Sequence, residues 1–154
     1  MTVQWLDTEE MDAWRSYIET VFELNAALEA DLADHGLTLG DYQVLVSLSE
    51  AEGRSMRMCD LAAQLQLSPS GLTRRLDGLV RAGVVERRPS ESDRRVMLAV
   101  LTRKGSATLA KAAPTHVKSV RARIFDQIER GDLGAMERIF TAVRHGLHPE
   151  EAVR

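Results

Sequence analysis

Apolar residues in this chain fall first into helical spacing, then into alternation, then back into helical spacing. Asp7 can cap a helix, with Glu10 three residues on as its reciprocal partner, and Trp14, Ile18, Val21, Phe22, Leu28 and Leu32 then recur on one side. The stripe predicts one helix of about 27 residues that reaches Asp34 and stops at Gly36, far longer than the usual helix of about 11–12. A stripe that long is hard to cover within one small lobe, which points to an interface between subunits. Thr38, with Asp41 as box partner, opens a second helix whose apolar side is Tyr42, Val44, Leu45 and Leu48, closed by Gly53. A short third helix is expected from about Arg57 to Leu65, with Leu61 and Leu65 inward, followed by the turn Gln66-Leu67-Ser68.

The fourth helix is the most sharply marked. Ser68 is a preferred N-cap, Pro69 sits at the first helical position, and Leu72, Leu76, Leu79 and Val80 define its inner face before Gly83 stops it. The period then changes from 3.6 to 2. Val84 to Arg88 reads as one strand and Arg95 to Leu101 as a second, joined by the polar tip Pro89 to Arg94. Thr102 caps a fifth helix expected to reach Arg130, with a kink near residues 110–114 where Pro114 lacks an N–H and crowds the Ala110 carbonyl. Gly131-Asp132 breaks it. A sixth helix carries Leu133, Met136, Ile139, Phe140, Val143 and Leu147 inward and ends before Pro149.

A short helix, a three-residue turn, a helix and a two-stranded β-hairpin form a winged helix-turn-helix. The fold class is therefore mainly α, with N- and C-terminal dimerisation helices around the wing and its lobe. The divisions are 1–35 for the first helix, 36–106 for the lobe and 107–154 for the last helices. If Leu72, Leu76, Leu79 and Val80 face the core, a count of 100° per residue turns Ser70, Arg74, Asp77 and Arg81 outward. Gly71 lies beside them, and Thr73 and Arg75 lie on the flanks. That small, hydroxylic, basic face can enter a major groove of about 12 Å, where Arg74 can fork to a guanine and Ser68, Ser70 and Thr73 reach bases or phosphates. The wing holds Asp93, Arg94 and Arg95 at its tip and Arg87 and Arg88 on the facing strand, arginines suited to the negative potential of a minor groove. Asp93 is placed to orient Arg95.

Charge sharpens this picture. The chain of 154 residues has a net charge of −3, but residues 1–52 carry 12 acidic residues and one basic, while residues 53–104 carry 11 basic and 5 acidic. A basic middle between less basic flanks suits a polyanion, although solvated charges also cluster by chance. The single cysteine, Cys59, excludes an internal disulfide and a cysteine-rich zinc site, fits a reducing cytosol, and reads as a buried structural thiol. The opening Met1-Thr2-Val3-Gln4-Trp5 has no basic, apolar leader, and no apolar run is long enough to span a bilayer, so a cytoplasmic location away from membranes is expected. No Walker loop, GxGxxG, Ser-His-Asp order or paired carboxylate suggests an enzyme or a bound cofactor.

Asp93-Arg94-Arg95 followed by Leu101-Thr102-Arg103-Lys104-Gly105 resembles the wing signature of the MarR family, multiple antibiotic resistance regulators. Leu67 to Leu76 resembles that family's recognition helix, and the six-helix order fits along nearly the whole chain. The resemblance implies a homodimeric regulator of transcription on double-stranded DNA with a pseudo-palindromic operator. Such regulators are often repressors of a nearby operon, released by a small anionic or phenolic effector. It makes Arg95 the minor-groove arginine, Asp93 its partner and residues 68–75 the major-groove readers. It also implies an effector crevice that Trp14, His35, Tyr42 and His116 could line. One departure is Arg57, where the family has a capping Ser, Thr or Asn; Ser55 is expected to cap the third helix instead. Two rivals stay open. One is a winged-helix module that binds an acidic protein, disfavoured by the clustered arginines. The other is a metal-responsive regulator using His145 and His148, with His35 and His116 as the remaining histidines; no carboxylate stands at a matching spacing, so no metal site is assigned.

Overall fold

The computed structural model describes residues 2–148. Its helices are α1 (Thr8–Ala33), α2 (Leu39–Glu50), α3 (Met58–Gln64), α4 (Pro69–Arg81), α5 (Arg103–Val120) and α6 (Leu133–Leu147). Strands β1 (Ser55–Arg57), β2 (Val85–Pro89) and β3 (Met97–Leu101) form one antiparallel sheet in the order β1-β3-β2. Residues up to Val117 form one compact unit and those from Lys118 another.

The helix boundaries follow their caps. Asp7 accepts from the Glu10 N–H at 2.9 Å while Glu10 accepts from the Asp7 N–H at 2.9 Å, and Thr38 and Asp41 make the same reciprocal pair at 3.0 and 3.1 Å. Ser68 caps α4 by accepting from the Gly71 N–H at 3.1 Å. Gly83 ends α4 at φ 72°, where the Val84 N–H bonds the Leu79 carbonyl at 3.0 Å, the six-to-one closure of a left-handed stop. The helix-turn-helix turn uses the same closure without glycine: Gln66 takes φ 53° and the Leu67 N–H reaches the Ala62 carbonyl at 2.9 Å.

The core of the first unit is aliphatic. Leu32, Val44, Leu45, Leu48, Leu61, Leu72, Leu76 and Val85 are almost wholly buried, drawn from α1, α2, the helix-turn-helix and the wing. Thr102 joins the wing to α5: its hydroxyl donates to the Gly83 carbonyl at 2.8 Å and accepts from the Gly105 N–H at 2.9 Å. Gly105 lies so close to β2 that a Cβ there would sit 2.0 Å from the Val84 carbonyl oxygen. The Leu-Thr-x-x-Gly sequence thus has a packing reason.

Five expectations change. The hairpin gains a third strand, because Ser55–Arg57 pairs with Leu98–Val100. Ser55 lies in that strand and does not cap α3, whose N-cap, Arg57, makes no side-chain cap bond. Val80 is exposed, since at 100° per residue it sits at the edge of the arc through Leu72, Leu76 and Leu79. Cys59 is exposed, in the first turn of α3, where Leu61 and Ala62 take the inward positions. The fifth helix runs through Pro114 as one α-helix to Val120 and passes into a π-turn at Arg121–Phe125, so it ends before Arg130. Burial also differs from the expected stripes. In α1 only Leu28 and Leu32 are buried, and α6 buries none of its residues; Trp14, Phe22, Ile139, Phe140, Val143 and Leu147 are exposed in the single chain. Pro149 lies outside the described residues.

Candidate nucleic-acid interface

The outward face of α4 is built by its cap and its inner leucines. With Leu72, Leu76 and Leu79 buried, Ser70, Thr73, Arg74, Asp77 and Arg81 are exposed. Ser68 and Ser70 share a hydroxyl contact of 3.2 Å at the N-terminus, and Thr73 donates back to the Pro69 carbonyl at 2.9 Å. Gly71 keeps this end thin, since a Cβ would sit 3.1 Å from the Ser68 hydroxyl. Arg74 has no hydrogen bond or ion pair among the described residues, so its guanidinium is available to a ligand.

Arg75 and Arg87 are committed elsewhere. Arg75 reaches back to the N-cap of α2, donating to the Thr38 hydroxyl at 3.1 Å and to Asp41 at 3.5 Å. Gly40 makes room for it, for a Cβ there would lie 2.2 Å from the guanidinium. Arg75 therefore fixes the seat of α4 on α2. Arg87, on β2, donates to the Asp77 carboxylate at 2.8 Å and to the Thr73 carbonyl at 2.7 Å. Its guanidinium ties the wing to α4, and its buried Nε has no partner among the described residues. The sequence reads both arginines as direct contacts; the structure gives each a partner within the lobe while leaving the Arg75 side chain 32% and the Arg87 side chain 27% exposed.

At the wing tip Asp93 accepts from the Arg95 N–H at 3.0 Å and from its Nε at 3.2 Å. The Arg95 backbone N–H, then its guanidinium, and also the charge of Arg57 hold the Asp93 carboxyl below its ordinary value. The Arg95 side chain is 92% exposed while so oriented, a presented cation with its direction fixed. Arg88 and Arg94 are exposed and make no ion pair among the described residues. Arg57 is a contributor that sequence reasoning missed. In the sequence it stands out only at the start of the third helix, whereas β1 sets it beside β3, opposite Leu98, where it adds positive charge to the wing.

A second site lies within the first unit. A cavity of about 570 Å³ is walled by parts of α1, α2, the helix-turn-helix turn and α5, and Tyr42 and His116 both line it. Their ring centroids are 4.4 Å apart. Burial raises the Tyr42 pKa above its ordinary value and lowers that of His116, so both rings are held uncharged at neutral pH. His35 is engaged next door with the Thr115 hydroxyl at 2.8 Å. Trp14 is not among the lining residues and pairs instead with Tyr17, ring centroids 6.0 Å apart. Among the described residues no three His, Cys, Asp or Glu side chains gather as a metal site, His145 and His148 included.

A helix-turn-helix with a free arginine on its second helix, beside a wing that presents oriented arginine, defines a winged-helix protein built to meet a polyanion. Comparison with known proteins narrows the class. The profile of the MarR family matches residues 37–97. The crystal structure of AbsC, a MarR family regulator from Streptomyces coelicolor, superposes with a TM-score of 0.92 at 40% identity, over 96% of this chain and 100% of that one. Sco3205 from the same organism, a MarR family regulator solved in complex with DNA, gives 0.92 at 34% identity, over 97% and 94%. Among sequence relatives, the transcriptional repressor YetL of Bacillus subtilis is 28% identical over 117 residues, 76% of this chain and 70% of that protein. The chain belongs to the MarR family, whose matched members are transcriptional repressors and regulators, not enzymes. No described helix is long and apolar enough to cross a membrane.

Proposed function

We propose that this chain acts in the cytoplasm as a homodimeric repressor that binds a pseudo-palindromic DNA operator and is released by a small-molecule effector. The observation that carries this reading is the pairing of two presented cations on one tied scaffold: Arg74 free on α4, and Arg95 held outward by Asp93 on the wing that Arg87 fastens to α4. In this reading residues 68–74 enter the major groove, Arg95 enters the minor groove, and Arg88 and Arg94 meet phosphates. Arg75 and Arg87 hold the readers in place. The DNA-bound state of the 34% identical Sco3205 supports the choice of polyanion.

Support for the dimer comes from exposed apolar surface. Phe22 is 69% exposed on α1 and, separately, Ile139 is 60% exposed on α6, large apolar side chains that each helix leaves uncovered in the single chain. On this account residues 1–35 and 107–154 serve dimerisation and residues 36–106 serve DNA binding. Two-fold symmetry then sets half-sites about 10 bp apart. Support for the effector comes from the cavity lined by Tyr42 and His116.

The test is selection of bound duplexes from a random pool by the full-length protein, followed by gel shift. The reading expects an inverted repeat, and weaker binding at higher salt with a slope that falls by about two, about one per subunit, when Arg88 is replaced by Ala. Enrichment of no sequence over the starting pool refutes it.

A further inference from the structure

We propose that the cavity beside Tyr42 takes an aromatic organic cation, with Glu50 as the counter-charge. This deepens the effector reading and rests on it, but it departs from the anionic or phenolic effector that the family resemblance implies. The cavity volume of about 570 Å³ is within the range of small-molecule sites, about 300–1,000 Å³. Among the described residues no lysine or arginine lines it. Its one lining carboxylate among the described residues is Glu50, and the other polar groups are mostly the carboxamides of Asn25, Gln43, Gln64 and Gln66. Gln64 is partly engaged, donating to the Ser47 hydroxyl at 3.2 Å.

An anion that entered this cavity would exchange water for neutral dipoles and meet the Glu50 carboxylate. A cation meets that carboxylate, amide oxygens, and two lining rings held uncharged by burial, of which the phenol ring of Tyr42 is of a kind that attracts a cation. The longer-range field has the same sign, because residues 1–52, which supply α1 and α2, carry 12 acidic residues and one basic. Position links the site to DNA binding. The wall formed by Gln64, Leu65 and Gln66 is the turn that leads into α4, and Gln66 stands there in a left-handed conformation at φ 53°. A ligand that presses on this turn acts directly on the seat of the recognition helix.

The experiment uses three probes of one shape and different charge, 2-naphthamidine, 2-naphthamide and 2-naphthoate, titrated calorimetrically into the full-length protein. The amidine should bind about tenfold more tightly than the carboxylate, with the amide between them. Glu50→Gln, at an exposed position, should bring the amidine to within about threefold of the amide and leave the amide unchanged, which also reports that the cavity is intact. Equal or tighter binding of the naphthoate overturns the proposal. So does an amidine preference that survives Glu50→Gln, or no binding of any probe at millimolar concentration. Operator release is read on the same samples by fluorescence anisotropy. Amidine binding in the expected order without release refutes the effector reading alone, whereas the wrong order refutes the ligand class and leaves the regulator reading standing.

Discussion

Replacing Arg87 by Met separates a residue that holds the reading surface together from one that touches DNA. The guanidinium makes two charge-assisted bonds, 2.8 Å to Asp77 and 2.7 Å to the Thr73 carbonyl. A hydrogen bond to a charged group contributes about 1.5–3 kcal/mol when buried. Here the Arg87 side chain is 27% exposed and Asp77 50% exposed, so solvent screens the pair and water can rehydrate the freed carboxylate. Methionine also keeps most of the packing of the aliphatic stem. A net loss of about 1–2 kcal/mol follows, which lowers the melting temperature by about 3–8 °C for a chain of this size. Operator affinity should fall by about fivefold as the wing loosens on α4, a loss of about 1 kcal/mol. The decisive variant is the double replacement Arg87→Met with Asp77→Asn, which removes the pair without changing net charge. Its salt slope, measured by anisotropy between low and moderate salt, should match that of the unaltered protein although its affinity is lower. A slope reduced by about two, about one per subunit, would mean that Arg87 neutralises a phosphate, and the positioning role would fail.

Arg95→Ala should weaken operator binding by about 1–3 kcal/mol with no change in melting temperature, because the side chain is almost fully exposed; titration beside thermal unfolding checks both. Gly105→Ala drives a methyl against the Val84 carbonyl and should cost about 1–3 kcal/mol of stability, read from chemical unfolding; an unchanged midpoint would refute the close-approach argument. His116 has a folded pKa below its ordinary value of 6.5, so the unfolded chain takes up this proton first and stability should decline as pH falls from about 6.5 through the folded value. His116→Gln should flatten that decline, and an identical pH profile would remove His116 as its cause. Phe140→Asp on the exposed face of α6 should yield monomers by sedimentation while the lobe stays folded by circular dichroism, and a persisting dimer would take α6 out of the interface.

What the sequence made legible was local chemistry. The Asp7–Glu10 and Thr38–Asp41 boxes, the Ser68 cap and the Asp93–Arg95 contact join residues at most three apart, the Gly83 stop closes over five, and each is found as read. What stayed hidden depends on partners far along the chain. Ser55–Arg57 is too short to show alternation and becomes a strand only because Leu98–Val100 lies alongside. Arg75 and Arg87 look like any exposed arginine until Asp41, 34 residues away, and Asp77, 10 away, are brought to them. Cys59 and Val80 have apolar neighbours in sequence that suggest burial, yet the leucines beside them already fill the inward positions. Pro114 lies within α5, while the π-turn at Arg121–Phe125 has no glycine or proline to announce it. The cavity was legible only in part: Tyr42 and His116 meet there, but the carboxamides and Glu50 that give it its polarity have no pattern in the sequence.

The central claim is that two copies of this chain read one DNA site through α4 and the wing. Sedimentation equilibrium of the full-length protein on a selected duplex, with a scrambled duplex of equal length beside it, tests that claim most directly. The account predicts a dimer in free solution at micromolar concentration and two chains per selected duplex. It also predicts affinity for that duplex at least about a thousandfold above the scrambled one. A single chain bound per duplex, or equal affinity for both duplexes, would contradict it.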